Sequence, residues 1–441
     1  MSLVVNQFGD DWSSQMGAYR FFKNEKTTEG TILEQSLSLQ SEIDNQEELF
    51  VISDTSQINL NHLQKSLEDK SDLGVLNDGL TLGYSLHGSI VLNNKYESRG
   101  ISNAITYARA FPQSEESKNT RSTKRDNLPI EQKESYRWLL GTRKSTEYLG
   151  NESRLTFIFD REGDIYQLLD EINKQGSKFI VRSQHNRQVK SEENRRIKLW
   201  DYIAQDPVNH TYTVSVPADS RGNKKRIATL GLKYKQVRIA SPTHYSFETT
   251  NSDFLDITIV QATEILSKGQ SKPENYINWN LLTNKEVKSV DQGLKIVENY
   301  SSRWCIEDVF RGMKNKGLQL DSVTLKTGKA LRKISIMAFD ISTVALKLRQ
   351  ARDGTSFIPI REVFDEQQVN CMEQLSPTLE GNTEKQKNLH EPKSLAWASW
   401  VIARLGGWAG YSSQRPPGIT TMEKGLERFS NLFLGWSIRT P

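Results

Sequence analysis

The 441-residue chain carries 58 lysines and arginines against 54 aspartates and glutamates, for a formal net charge of +4. At 36% hydrophobic and 9% aromatic residues it can bury a full core, which excludes wholesale disorder, and its length suggests roughly three domains. Two cysteines, Cys305 and Cys371, exclude a disulfide framework and a four-cysteine zinc site. With no run of roughly 18 apolar residues and no signal-peptide pattern, the expectation is a reduced cytoplasmic protein with no membrane partner.

Residues 13–48 are polar with helical character and contain GAYRFF at Gly17–Phe22. ELFVISDTS, Glu48–Ser56, has a β-branched apolar centre and reads as a buried strand delivering Asp54 at its end. Strands follow at 82–94 and near 104–110, then a polar loop over 113–127. Helical spacing through Tyr136, Leu139 and Leu140 predicts a helix within 130–149. RLTFIFDREGDIYQLLDEI, 154–172, is the clearest strand-to-helix unit: the strand ends at Asp160, a turn passes through Gly163, and an amphipathic helix begins. Alternating strands over 178–283 predict a β-rich insertion. Helical periodicity returns at 288 and runs to about 351. A last helical segment, 393–408, is apolar on almost every face, so a core helix and a partner-binding helix fit it equally well. Pro416–Pro417 and a short terminal helix close the chain.

The near-neutral charge is a sum of unlike parts. Residues 27–80 hold eleven acids against Lys65 and Lys70, while 221–238 holds seven basic residues and no acid. Residues 311–333 hold seven basic residues against Asp321. Such clusters fit either a polyanion footprint or a solvated face. An acidic segment that faced DNA would repel it.

YSSRWCIEDVFRGMK, 300–314, places Tyr300, Arg303, Glu307 and Lys314 at offsets 0, 3, 7 and 14. At about 100° per residue they fall on one helical face, with a phenol, a guanidinium, a carboxylate and an ammonium in one stripe. Trp304, Ile306 and Phe310 leave on other faces, available for packing. Asp54 and Asp160 stand at expected strand ends, where ligands bind in α/β sheets. Taken singly, a strand-end aspartate is more often a turn or helix cap than a metal ligand, and a lone helical glutamate is usually solvated. Together, three carboxylates on rigid elements suit two Mg²⁺ ions and in-line phosphoryl displacement.

These residues resemble a known family. Asp54 in SDTS, Asp160 in FDREGDIY and the Tyr300–Arg303–Glu307–Lys314 spacing are similar to the DDE transposases of bacterial insertion sequences. The subgroup is the one with a Tyr-Arg-Glu-Lys signature, which cuts and pastes through DNA hairpins. GAYRFFKN (17–24), IEQKESYRW (130–138), FIVRSQH (179–185), NWNLLT (278–283) and SLAWASWVIARLGGW (394–408) extend the resemblance over most of the chain.

The resemblance implies that Asp54, Asp160 and Glu307 are catalytic and bind two Mg²⁺ ions, with Mn²⁺ as a substitute. It implies an α/β fold: a ribonuclease-H-like core with a mixed sheet, split into 48–177 and 284–352 by the insertion at 178–283. A helical segment precedes it at 1–47, and a helical dimerisation domain follows at 353–441. Tyr300, Arg303 and Lys314 would contact transposon-end phosphates, which suits their side chains. Trp279 matches the aromatic on which a flipped base stacks during hairpin formation; ordinary core packing is the alternative. Arg161, Glu162 and Asp164 match the motif beside Asp160, and Arg161 and Glu162 would position either DNA or the groups behind the metal ligands. Arg182, His185 and Arg187, and with them Lys224, Lys225 and Arg226, are candidate DNA contacts, against the alternative of surface cations. The implied partners are transposon-end DNA, target DNA and a second copy of the chain in the synaptic dimer.

Family members usually carry a DNA-recognition segment well upstream of GAYRFF, whereas sixteen residues precede Gly17 here. A second reading is therefore a truncated or non-catalytic regulator that inhibits a full-length transposase by dimerisation. A third is a generic ribonuclease-H-type nuclease, which cuts without regard to end sequence and makes no hairpin.

Overall fold

The computed structural model describes residues 12–38, 40, 43–44, 46–111, 128–190, 196–218, 222–242, 252–267, 269, 271–316, 318, 320, 323, 325–411 and 414–439. The polar stretch expected as a loop at 113–127 lies outside them. In chain order the helices and strands begin α1 (Trp12–Lys23), α2 (Glu29–Ser38), β1 (Leu49–Asn59), β2 (Gly74–Val75), β3 (Leu82–Leu92) and β4 (Ser98–Tyr107). They continue α3 (Tyr136–Leu149), β5 (Leu155–Phe159), α4 (Tyr166–Lys174), β6 (Lys178–Arg182), β7 (Gln188–Lys190), β8 (Arg196–Lys198) and α5 (Leu199–Ala204). Then come β9 (His210–Val216), β10 (Arg226–Ala240), β11 (Phe254–Glu264), β12 (Asn278–Thr283), α6 (Val290–Ser301) and α7 (Trp304–Arg311). The chain closes with α8 (Gly328–Ala351), α9 (Glu366–Leu379), α10 (Leu395–Leu405) and α11 (Ile419–Arg439). The fold is α/β with a mixed sheet and C-terminal helices.

The chain divides into two compact units. One comprises Glu48–Ile52 with Glu116–Arg303, the other Met1–Glu47, Ser53–Glu115 and Trp304–Pro441.

The unit ending at Arg303 is built on parallel pairs. Leu49–Ile52 of β1 pair with Leu155–Ile158 of β5, and β5 pairs in parallel with β6. Phe50, Val51, Phe157, Ile158, Phe179 and Ile180 are all buried, the continuous apolar pattern of strands covered on both faces. From β6 the sheet turns antiparallel through β12, β11 and β10, with β9 and β7 against β10. Strand β6, at the start of the expected insertion, is thus hydrogen-bonded directly to β5. Helix α6 packs on β6, β10 and β11, and Gly293 permits the approach: a Cβ there would stand 3.1 Å from the Leu232 side chain.

The other unit is organised by α8, capped by the Thr327 side chain accepting from Ala330 N. It packs against α1, α2, α7, α11 and the β3–β4 hairpin. The Tyr84 hydroxyl donates to Leu331 O at 2.8 Å, and Gly88 lies beneath the Phe339 ring, where a Cβ would meet the ring at 2.4 Å.

The C-terminal helices form their own core around Trp397, Trp400, Val401, Ile402, Met422 and Phe429. Of the two readings for 393–408, this settles α10 as a core helix. Gly425 of α11 sits against α10 so closely that a Cβ would stand 1.9 Å from Ile402 O. Alanine is the better helix former by about 1 kcal/mol, but overpacking against a rigid backbone costs about 1–3 kcal/mol. With a contact this short and no side chain to swing away, overpacking wins. Gly425→Ala is expected to lower stability by about 2 kcal/mol in denaturant unfolding; a variant as stable as the parent would contradict this packing.

Four local expectations change. Strand β1 runs on to Asn59, so Asp54 lies within it rather than at its end. The chain stays extended because Ser53 and Thr55 find partners on the neighbouring strand β3: Ser53 Oγ lies 2.8 Å from Ser89 Oγ, and Thr55 Oγ1 3.0 Å from His87 Nδ1. Strand β4 begins at Ser98, ahead of the expected 104–110. The terminal helix is long, at 21 residues. The expected helical run from 288 to 351 is broken, with α6 ending at Ser301. There the Ser301 and Ser302 hydroxyls donate to Val297 O at 2.9 Å and Asn299 O at 2.6 Å, competing with the helical ladder. A second break is a π-helical turn over Gly312–Lys316, with Lys314 at φ −87° and ψ −109°.

Candidate functional site

The breaks dissolve the single stripe expected for Tyr300, Arg303, Glu307 and Lys314. Tyr300 ends α6 and Arg303 lies in the turn after it, in the unit built on the parallel strands. Glu307 on α7 and Lys314 in the π turn belong to the other.

In the first of these units the predicted residues converge. Strand β5 delivers Asp160 at its end, where Oδ1 accepts from Glu162 N at 2.9 Å and caps a one-turn 3₁₀ helix. Strand β6 brings Arg182 and strand β12 brings Trp279. Tyr300 is only 3% exposed. Trp279 meets it edge-on, with ring centroids 5.1 Å apart, and the Arg303 guanidinium lies 6.0 Å from the Tyr300 ring centroid. The phenol lies against the Arg182 and Arg303 guanidiniums. Burial pushes the Tyr300 phenol above its ordinary value, the two guanidiniums oppose that rise, and the Asp160 carboxylate adds to it. Arg182 is shifted down, first by burial and then by the neighbouring cations Arg161 and Arg303. Two guanidiniums, Arg182 and Arg303, therefore flank the phenol, and Arg161 adds a third positive charge near Arg182. Such a cluster favours a bound anion, because an anion relieves the mutual repulsion. Tyr300 is buried beside these arginines, so its phenol does not stand open at the surface. Trp279 is half-buried against it, so packing accounts for one face of the indole.

Several candidates are committed elsewhere. Arg187 forms an ion pair with the buried Asp164 and also donates to its backbone carbonyl at 2.7 Å. Asp164 in turn accepts from Gln184 N and His185 N, so it fixes the turn after β6. Arg187 is a structural cation rather than a surface phosphate contact, because an uncompensated Asp164 would be costly to bury. His185 is exposed beside it. Glu162 pairs with Arg137 at 2.6 Å, while Arg161 is exposed. Arg226 is likewise held by the buried Glu264 and by Asn275. Lys224 and Lys225 remain exposed.

Some cations of the two basic clusters are balanced in place. Within 221–238, Lys235 pairs with Asp206, Arg238 with Asp256, and Lys233 donates to the carbonyls of Ile203 and Ala204. Within 311–333, Lys326 pairs with Glu68, and Arg332 with Glu29 and Asp72. Glu29, Glu68 and Asp72 of the acidic 27–80 segment thus serve as counter-ions for two cations of the 311–333 segment.

In the unit containing α8, Asp54 is half-buried and its Oδ1 accepts from Thr55 N at 2.7 Å. Glu307 sits in the first turn of α7, where the helix dipole favours a carboxylate. Ile306, Val309 and Phe310 bury the opposite face of that helix, and Asp308 anchors it through Arg349 at 2.5 Å. Trp304, expected to pack, is 54% exposed because α7 begins at it instead of continuing α6. Cys305 is a packing residue whose thiol burial pushes up to about 11. Sequence reasoning missed His87, fully buried and joined to Thr55 next to Asp54; nothing in the spacing of six scattered histidines marks it.

Among the described residues no group of three or more His, Cys, Asp or Glu side chains stands together as a metal cage. Each of Asp54, Asp160 and Glu307 offers a carboxylate, the hard oxygen donor that suits Mg²⁺, which takes one or two protein carboxylates and completes its shell with water and phosphate oxygens. No described helix is long and apolar enough to cross a membrane. No family model matches the chain.

Proposed function

We propose that the chain is a DNA transposase with a ribonuclease-H-like core that moves an insertion sequence by cut-and-paste phosphoryl transfer. One observation carries this reading. Asp160, Arg161, Arg182, Trp279, Tyr300 and Arg303, six of the residues that the resemblance points to, are spread over more than half of one unit's sequence and are linked to one another in a single cluster. An aromatic face beside crowded guanidiniums and a strand-end carboxylate suits a nucleic-acid strand with one base displaced.

Asp54, Asp160 and Glu307 would hold Mg²⁺ or Mn²⁺, which when bound supplies charge to the attacking and leaving oxygens of the phosphodiester. Arg161, Arg182 and Arg303 bind the strand backbone, and Tyr300 holds Arg182 and Arg303 in place. Trp279 offers its edge and open face to an unstacked base. The working form is a dimer on transposon-end and target DNA in the cytoplasm.

The test uses duplexes carrying the terminal sequences of the source element, incubated with the full chain and Mn²⁺. End-specific nicks followed by hairpins are expected, with hairpins reduced more than nicks in Trp279→Ala. Cutting without regard to end sequence and without hairpins would make the protein a generic nuclease. No product, together with suppression of an active longer relative, would make it a regulator.

A further inference from the structure

A cavity of about 710 Å³ opens in the unit containing α8, at the N-terminal end of α11. Arg311, Arg352 and Arg415 line it with Trp408, Gln414 and Gly418, and no aspartate or glutamate stands among its described lining. Gly418 immediately precedes α11, which has 21 residues and no acid in its first turn, so its own sequence leaves the positive end of the helix uncompensated. Arg352 Nη1 donates to Pro417 O at 2.7 Å, tying that guanidinium to the loop that enters the helix. Its buried Nε has no hydrogen-bond partner among the described residues and lies 3.5 Å from Asp353 Oδ1. The buried Trp408 Nε1 likewise lacks a hydrogen-bond partner among the described residues. Arg311 is partly balanced by Asp308 at 2.9 Å, whereas Arg415 is exposed and enters no ion pair among the described residues.

The wall therefore offers guanidinium and indole donors and a helix N-terminus, with Gln414 as its one side-chain amide. Donors of that kind call for an acceptor-rich anion, and the volume lies within the range of ligand sites. We propose that this cavity binds a phosphate group, as a monoester or a diester, held by Arg352 and Arg415 against the start of α11. Arg311 stands one helical turn after Glu307 on α7, so a phosphodiester seated here would lie along the same helix as that carboxylate. The site stands on the cavity itself and does not depend on the catalytic reading.

The experiment titrates the full chain, without divalent metal, with inorganic pyrophosphate and separately with a short duplex lacking element ends. Parent, Arg415→Glu and Lys424→Glu proteins are compared by calorimetry. Lys424 is an exposed cation of α11 outside the cavity lining, so it controls for net charge. Arg415→Glu is expected to weaken binding about tenfold or more, with Lys424→Glu close to the parent. Loss for both ligands, or for the duplex alone, supports the site and identifies a backbone phosphate as its source. Loss for pyrophosphate alone supports it with a free phosphate compound as the source. Equal weakening by both substitutions, or no binding of either ligand by the parent, overturns the proposal.

Discussion

Asp160→Asn is expected to leave the protein folded and to reduce strand cleavage by about 10²–10³-fold, the order seen when one preorganised electrostatic contact is lost at a reacting centre. The substitution separates the cap that Asp160 forms from the metal-ligand role proposed for it. As a cap, Asp160 accepts from Glu162 N at 2.9 Å, and an asparagine oxygen can do the same. As the proposed metal ligand it would supply a negative charge, which asparagine cannot. Asp160→Ala loses both and is expected to cost about 1 kcal/mol of stability as well. Melting curves and cleavage of end-bearing duplexes, measured on both variants, distinguish the roles. If Asp160→Asn cleaves within about tenfold of the parent, this residue is only a cap. Glu307→Ala should match the loss of activity with little change in stability, since Ile306, Val309 and Phe310, not Glu307, hold α7 in place.

The contrast between Asp160 and Asp54 shows what a sequence encodes locally. LTFIFD followed by REG marks a strand end because the apolar run stops where a carboxylate and a glycine begin, and β5 ends there. LFVISDTS looks alike, yet β1 continues, because the polar Ser53 and Thr55 are satisfied by Ser89 and His87, more than thirty residues away. The helical stripe misled for a related reason. Periodicity at about 100° per residue assumes an unbroken helix, while the Ser301 and Ser302 hydroxyls and Gly312 permit breaks that no apolar pattern records. The charge pattern was legible as composition but not as a field. Arg187, Arg226 and Arg332 read as available cations until Asp164, Glu264, Glu29 and Asp72 are placed beside them. Arg182, Trp279, Tyr300 and Arg303 lie together, but Arg303 falls in the turn after α6 instead of on a shared helical face, and the burial of Tyr300 had no signal in the spacing.

Glu423→Gln is expected to make the protein more stable, and increasingly so as pH rises from 5 to 8. Glu423 lies on α11 at 1% exposure, where Ser342 Oγ donates to its Oε1 at 2.7 Å. Its Oε2 has no hydrogen-bond partner among the described residues. Gly312 of the π turn comes close enough that a Cβ would stand 2.3 Å from Oε1. Burial pushes the carboxyl from 4.5 up to about 7, against the opposing pull of the Ser342 hydrogen bond. Between those two values the folded chain keeps the proton and the unfolded chain has lost it, so stability falls as pH rises through the window and levels off above about 7. The span corresponds to a loss on the order of 3 kcal/mol, an upper figure because the denatured chain is not fully solvated. Glutamine keeps the acceptor for Ser342 and never ionises, so it removes this component at every pH. Asp340, pushed by burial up to about 6, adds a slope of the same sign that the substitution leaves untouched. The variant's own stability should therefore still decline between about 4 and 6 and then run flat while the parent continues downward. Denaturant unfolding of both proteins at pH 5, 6, 7 and 8 reads the difference directly. Parallel curves would mean that Glu423 is ionised in the fold, and that the junction of α8, α11 and the π turn tolerates a buried charge.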